Sequence, residues 1–200
     1  MNEPDDSELA RKAGAGDAEA FGELIRRHHA RVAGLCANLL DSRSDADDAA
    51  QEIFVKVHRS LSKFRSDAKF STWLYRIATN HCSDARKKSK RRRTVSLDFL
   101  IEEGGETAGD LLVEQKPKSD MGEQQDLARR LFAELPEVCR AAVSLRTDGM
   151  SYEEIAESLQ CSLDAVKSRL RRARASAAES LRRQSSPPKA LKPIDAGEAA

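Results

Sequence analysis

SYEEIAESLQCSLDAVKSRLRRAR, residues 151–174, decides the fold of the C-terminal part of the chain. Ser151 with Glu154 three residues on is a capping-box pattern and opens a short helix. Ser162 is placed as the N-cap of a second helix, with Asp164 in its first turn, where the backbone dipole favours an acid. Two short helices joined by a tight turn are the outline of a helix-turn-helix, whose second helix enters the DNA major groove. At about 100° per residue, Val166, Leu170 and Ala173 share one face of that helix, and Lys167, Ser168, Arg171 and Arg172 share the other. The apolar side is expected to dock on Ile155 and Leu159. The polar side is then free for base edges and phosphates, where a two-pronged arginine–guanine contact discriminates by about 1–3 kcal/mol. Gln160 stands where such turns often carry glycine. A left-handed residue there costs about 1–2 kcal/mol, so a slightly different turn is expected.

Outward from this motif the chain is helical. Asp17 is a cap for a helix to about Leu40, with Phe21, Leu24, Ile25, Val32, Leu35 and Leu39 at helical spacing. Ser44 with Asp47 opens the next helix, whose buried stripe is Ala46, Ala50, Ile53 and Val57. Residues 61–69 break the pattern as a loop. A third helix runs from about Ser71 to Lys90 with Leu74, Ile77, Ala78 and Ala85 inward, enough to close a small bundle. A second bundle begins near Asp126, with Leu127, Leu131 and Leu135 on one helix. Pro136 starts the next, where its missing N–H costs nothing, and Gly149 ends it.

The expected fold is therefore all-α: two small helical bundles joined by a flexible acidic linker, the second holding the helix-turn-helix. The divisions are a mobile N-terminus 1–16, a first bundle 17–93, a linker 94–125 with a brief ordered piece near Leu111, a second bundle 126–183 and a disordered Pro-rich tail 184–200. The low aromatic content, 4%, suits thin helical cores better than a β-sandwich.

The net charge of +1 hides a strong pattern. Residues 86–93 (RKKSKRRR) and 167–174 are dense in cations, and the charged residues of 98–126 between them are mostly acids. Local fields of this kind matter more to a polyanion than the sum does. The four cysteines, Cys36, Cys82, Cys139 and Cys161, lack zinc-ribbon spacing and read as small packing residues of a reduced, cytoplasmic protein. No secretory leader and no membrane-crossing apolar run is legible.

Two further faces carry chemistry. On the third helix Trp73, Arg76, Asn80, Ser83 and Lys87 form one continuous stripe about 90° from the buried face. An aromatic, an amide, a hydroxyl and cations suit unstacked bases and their phosphates. Phe64 and Phe70 bracket the loop before it and frame a pocket for a flipped base, where stacking contributes about 1–3 kcal/mol. Phe70 and Trp73 read equally well as core. On the second helix Asp48, Gln51, Glu52 and Val55 project from the buried stripe. Acids and an amide around an exposed valine look like a docking face for a basic protein.

Taken in order, DADDAAQEIFVKVHRSLSKF, STWLYRIATNHCSDARKK, an acidic linker and LFAELPEVCRAAVSLRTDGMSYEEIAESLQCSLDAVKSRLRRAR closely resemble the extracytoplasmic-function (ECF) sigma factors of bacterial RNA polymerase, over about residues 15–183. The resemblance implies that Asp48, Gln51 and Glu52 belong to the helix that grips the β′ clamp helices. It implies that residues 64–70 form the loop capturing a flipped base of the minus-ten element, and that Trp73, Arg76 and Asn80 recognise and melt that element. Lys167, Ser168, Arg171 and Arg172 match the helix that reads the minus-thirty-five element, and the linker matches the segment that threads toward the RNA exit channel. The partners implied are core RNA polymerase (β′ clamp helices and β flap), promoter DNA and an anti-sigma factor, often membrane-anchored. No cofactor, no metal and no catalytic group is expected.

Two other classes compete. A stand-alone helix-turn-helix regulator explains residues 127–183 but leaves the WLYRIATN helix without a purpose. An enzyme has His28, His29, His58 and His81 to draw on, yet adjacent histidines on a helix point apart and usually lie on the surface. No metal-binding, phosphate-loop or paired-acid motif accompanies them.

Overall fold

The structure is a computed structural model and describes residues 4–65, 67–102 and 123–185. These residues are helical, apart from short connections, and contain no strand. The helices are α1 (Asp6–Gly14), α2 (Ala18–Leu39), α3 (Arg43–Ser60), α4 (Phe70–Glu102), α5 (Glu123–Glu134), α6 (Glu137–Thr147), α7 (Tyr152–Ser158) and α8 (Leu163–Ser185), with one 3-10 turn at Leu61–Lys63. The ordered piece expected near Leu111 and residues 186–200 of the tail lie outside the described residues.

The caps explain most boundaries. The Asp17 carboxylate accepts from the N–H groups of Glu19 and Ala20, both at 3.0 Å, and starts α2 as expected. At α7 both halves of the capping box are made: Glu154 N–H donates to Ser151 Oγ at 3.1 Å, and Ser151 N–H donates to Glu154 Oε2 at 2.8 Å. The start of α3 differs from the sequence reading. Its cap is Ser42, not Ser44, because Ser42 is extended and its Oγ accepts from Asp45 N–H at 3.3 Å, while Ser44 already lies inside the first turn.

Three helices end in the same left-handed closure, α1 at Gly16 and α6 at Gly149 with glycine, and α7 at Gln160 without. After α6, Gly149 (φ 88°) lets Met150 N–H reach Leu145 C=O at 3.2 Å and its own N–H reach Arg146 C=O at 3.1 Å. After α7, Gln160 (φ 49°) makes the same pair, with Cys161 N–H on Ala156 C=O at 3.0 Å and Gln160 N–H on Glu157 C=O at 3.2 Å. All three are Schellman closures. The helix-turn-helix turn thus keeps its usual left-handed geometry and bears the strain on Gln160, contrary to the different turn expected. Gln160→Gly relieves it. The net gain, after the extra freedom glycine gives the unfolded chain, is about 0.5–1 kcal/mol. A melting temperature about 2–3 °C higher is the expected result; an unchanged or lower one shows the turn to be unstrained.

Two segments expected to be irregular are helical. Leu9, Ala10 and Ala13 of α1 are buried, so a helix stands where a mobile N-terminus was read. Its Asp6 takes a hydrogen bond from Arg27 at 3.0 Å and lies 2.7 Å from His28 Nε2. His28 is consequently a buried residue and not a surface one. At the other end, α4 runs on to Glu102, nine residues past Arg93.

The two bundles share one core. Leu24, Val32, Leu35, Ile53, Val57 and Leu74 of the first are fully buried, and the same cluster continues through Ala142, Leu145, Ile155 and Val166 of the second. Helix α2 lies against α6 and α4 against α7. Ser158 is fully buried at the second contact: its Oγ donates to Thr72 C=O at 3.2 Å, and its carbonyl accepts from Thr79 Oγ1 at 3.4 Å.

Candidate nucleic-acid and polymerase interfaces

The stripe on α4 emerges from the core and turns outward along the helix. Trp73 and Arg76 are half-buried, and Asn80, Ser83 and Lys87 are exposed. Phe64, Phe70 and Trp73 form a ring cluster at the start of α4, with centroids 5.3–5.9 Å apart. Phe70 is 1% exposed and also meets His28 edge-on at 5.4 Å. It therefore belongs to the core and not to an open pocket wall, because the N-terminus of α4 turns it inward over α2. Phe64 and Trp73, half-buried, present the aromatic edge that remains on the surface. The pocket expected between Phe64 and Phe70 is closed by their mutual edge-to-face contact, at an interplanar angle of 87°.

Sequence reasoning missed Lys69, which sits in the same loop. Its Nζ lies 2.7 Å from Glu154 of α7. The pairing holds the Glu154 carboxyl below its usual range, helped by the Ser151 N–H, and raises the ammonium of Lys69. No local pattern announces a partner 85 residues away, since Glu154 is already explained by its cap.

On α3, Asp48, Gln51, Glu52 and Val55 are all exposed, with Val55 at 48%. Val55 also lines a shallow apolar groove between α2 and α3 with Phe21, Ile25, Phe54, His58 and Arg59. The α2 wall of this groove was read only as core. Behind the acidic face, His81 of α4 lies 3.6 Å from Glu52 and 2.6 Å from Lys56 Nζ. Burial first, and then the Lys56 charge, lower its pKa. The imidazole is thus kept neutral near pH 7, with Nδ1 accepting from the ammonium.

On α8, Val166, Leu170 and Ala173 are buried, and Lys167, Arg171 and Arg172 are exposed, as the periodicity requires. Ser168 is half-buried. Ser162 caps the helix by accepting from Ala165 N–H at 3.2 Å. The cationic edge therefore faces away from the core, and the first bundle does not cover it. Cys36, Cys82 and Cys139 are buried, consistent with packing roles. Among the described residues no helix is long and apolar enough to cross a membrane.

The chain thus has two helical units, the first with an outward aromatic-and-amide stripe and the second with a cationic helix, and both match regions of a transcription initiation factor. The family model for Sigma-70 region 2 matches residues 24–92, and that for Sigma-70 region 4 matches 125–176. The chain is similar to the ECF RNA polymerase sigma-E factor of Escherichia coli K12, 38% identical over 173 residues, covering 84% of this chain and 90% of that protein. It is also similar to the RNA polymerase sigma-H factor of Pseudomonas aeruginosa, 34% identical, covering 87% and 92%. Among solved structures, CnrH in complex with the cytosolic domain of CnrY superposes with a TM-score of 0.65 at 28% identity, covering 90% of this chain and 99% of that one. The sigma factor RpoE of Bartonella quintana, solved with the anti-sigma factor NepR, shares the fold at 22% identity and a TM-score of 0.62, covering 82% and 98%. The chain belongs to the ECF sigma factors of the Sigma-70 family.

Proposed function

We propose that this chain binds core RNA polymerase and directs it to a specific set of promoters, melting the minus-ten element with one bundle and reading the minus-thirty-five element with the other. One observation supports the reading: a single chain exposes two separate faces of different chemistry, one on α4 and one on α8. The α4 stripe offers an aromatic edge, an amide and a hydroxyl, which suit bases out of the stack. The α8 edge offers cations on a rigid helix, which suit the major groove and its phosphates. The acidic α3 face with Val55 is the docking surface for the β′ clamp helices, and the second bundle docks on the β flap.

Opening of the duplex is driven by binding energy, with no catalytic group from this chain. Trp73 and Phe64 stack on or wedge beside a flipped base, Asn80 reads its edge, and Arg76, Ser83 and Lys87 hold the backbone of the separated strand. The family kinship supports control by an anti-sigma factor that covers the docking surfaces. It also supports a cytoplasmic location, at the inner membrane face when that regulator is membrane-anchored.

The deciding experiment is run-off transcription with purified core polymerase on genomic fragments, with and without this chain. New promoter-specific transcripts are expected only when both proteins are present. Tight, specific duplex binding by the chain alone, with no new transcripts, supports the stand-alone regulator instead. Arg171→Ala is expected to weaken recognition of the upstream element by about 10–100-fold, the equivalent of one two-pronged base contact. The preference among melted bases should stay as it was, and a change in it counts against the division of labour between α4 and α8.

A further inference from the structure

Two of the four cysteines meet inside the first bundle. Cys36 of α2 and Cys82 of α4 stand 46 residues apart in the chain, yet their sulfurs are 3.7 Å apart and share a hydrogen bond. Both are free thiols, at 0% and 1% exposure. A disulfide holds its sulfurs about 2.05 Å apart, so the pair is within about 2 Å of a covalent bond. A single buried cysteine behaves as a small hydrophobe. Two in contact add a chemistry that packing alone does not use. Cys161, by contrast, is half-buried in the second bundle and accepts from Arg169 at 3.5 Å.

The pair is asymmetric and lies close to solvent. The hydrogen bond with Cys36 holds the Cys82 thiol below its ordinary value, against the effect of burial. The same bond, and then burial, holds Cys36 above it. Cys82 is thus the sulfur that ionises first, and the thiolate is the form that reacts. Cys36 belongs to the last turn of α2, where its carbonyl accepts from Leu40 N–H at 2.8 Å. The next two residues, Ala37 and Asn38, are exposed, as are Ser83 and Asp84 after Cys82. A terminal turn opens at lower cost than the whole fold. Hydrogen peroxide, hardly larger than water, needs only that opening to reach the sulfurs.

We propose that Cys36 and Cys82 are a redox pair, which a hydroperoxide closes into a reversible disulfide that cross-links α2 to α4 and stabilises the first bundle. With hydrogen peroxide, the Cys82 thiolate attacks one oxygen, the O–O bond breaks and hydroxide leaves with the electron pair. Cys82 becomes a sulfenic acid. The Cys36 thiol then gives up its proton and its sulfur attacks that of Cys82. The S–O bond breaks and the oxygen leaves as water. Two thiols and one peroxide thus give one disulfide and two waters: the sulfurs lose two electrons and the peroxide gains them. A dithiol reverses the bond by exchange. The bridge ties the last turn of α2 to α4 one residue from Ser83 and two from Asn80, so oxidation stiffens the support of the α4 stripe. Closing a span of 46 residues also restricts the unfolded chain, which makes the oxidised form the more stable one.

The test uses the full chain carrying Cys161→Ser, which removes the half-buried thiol and leaves the pair intact. Hydrogen peroxide is expected to join the peptides that carry Cys36 and Cys82, seen by mass spectrometry as one species lighter than their sum by two hydrogens. The melting temperature should rise by at least about 5 °C and return on addition of dithiothreitol. Cys36→Ala and Cys82→Ala, each in the same background, should show neither change, and a rise that persists in either overturns the proposal. Peptide mapping needs only the parent protein, so a variant that does not fold leaves the test standing. A pair still reduced after peroxide, sulfinic acid at Cys82 with no bridge, or bridges only between separate chains each overturns it. A joined pair with an unchanged melting temperature refutes the stabilising cross-link.

Discussion

Asn80→Ala is expected to abolish promoter-specific run-off transcription, by about a hundredfold or more, while the variant still co-elutes with core polymerase. Asn80 is exposed near the middle of the α4 stripe, one turn beyond Arg76 and one before Ser83. Its amide has both a donor and an acceptor for a base edge, and methyl has neither. A base drawn from the stack and left unread forfeits a few kcal/mol of binding that offsets unpairing. Folding does not explain such a loss. Alanine is the better helix former, so the change should leave stability level or raise it by about 0.5 kcal/mol. The face on α3 proposed to dock on the polymerase is on another helix and is untouched. Loss of polymerase binding together with transcription would refute the separation of the two surfaces.

Phe70→Ala is expected to destabilise the chain by about 3–5 kcal/mol, measured by denaturant titration. The ring is 1% exposed and wedged among Phe64, Trp73 and His28, at centroid distances of 5.4–5.9 Å. Removing it leaves a void where α1, α2 and the start of α4 converge. Phe70→Leu keeps most of the volume and should cost less than half as much. The leucine variant should also retain most of its transcription, because the Phe70 ring is buried beneath Phe64 and Trp73, the aromatics proposed to meet the strand. A stably folded Phe70→Leu protein that loses transcription as sharply as Asn80→Ala would return Phe70 to the interface.

These two residues mark what the sequence can and cannot disclose. The exposure of Asn80 was legible because a polar residue on a stripe between apolar positions has few reasons to be buried. Phe70 was ambiguous because an aromatic at the first turn of a helix serves a core and a base equally well. Only the direction in which the loop delivers it separates the two. The cap residues Asp17, Ser151 and Gly149 were legible because each acts on its own neighbours. Ser42 and Ser44 were not separable, since both precede an apolar stripe at nearly the same offset. Helix α1 was overlooked because its apolar part is only Leu9, Ala10 and Ala13 beside two glycines, and it is stable through Asp6 contacts with Arg27 and His28 on α2. The seam between bundles left no signature, because its polar members (Thr72, Thr79, Ser144 and Ser158) look like surface residues until another helix covers them.

The unbroken course of α4 from Phe70 to Glu102 has a mechanical consequence. A helix of 33 residues is a rod of about 50 Å. It begins at the ring cluster of Phe64, Phe70 and Trp73 and carries the stripe from Trp73 to Lys87. The chain therefore leaves α4 about 14 Å beyond Arg93, where the basic run ends. If the proposed promoter reading holds, shortening α4 by one turn is expected to shift the spacing between the two promoter elements that the chain accepts, measured by run-off transcription on promoters of varied spacer length.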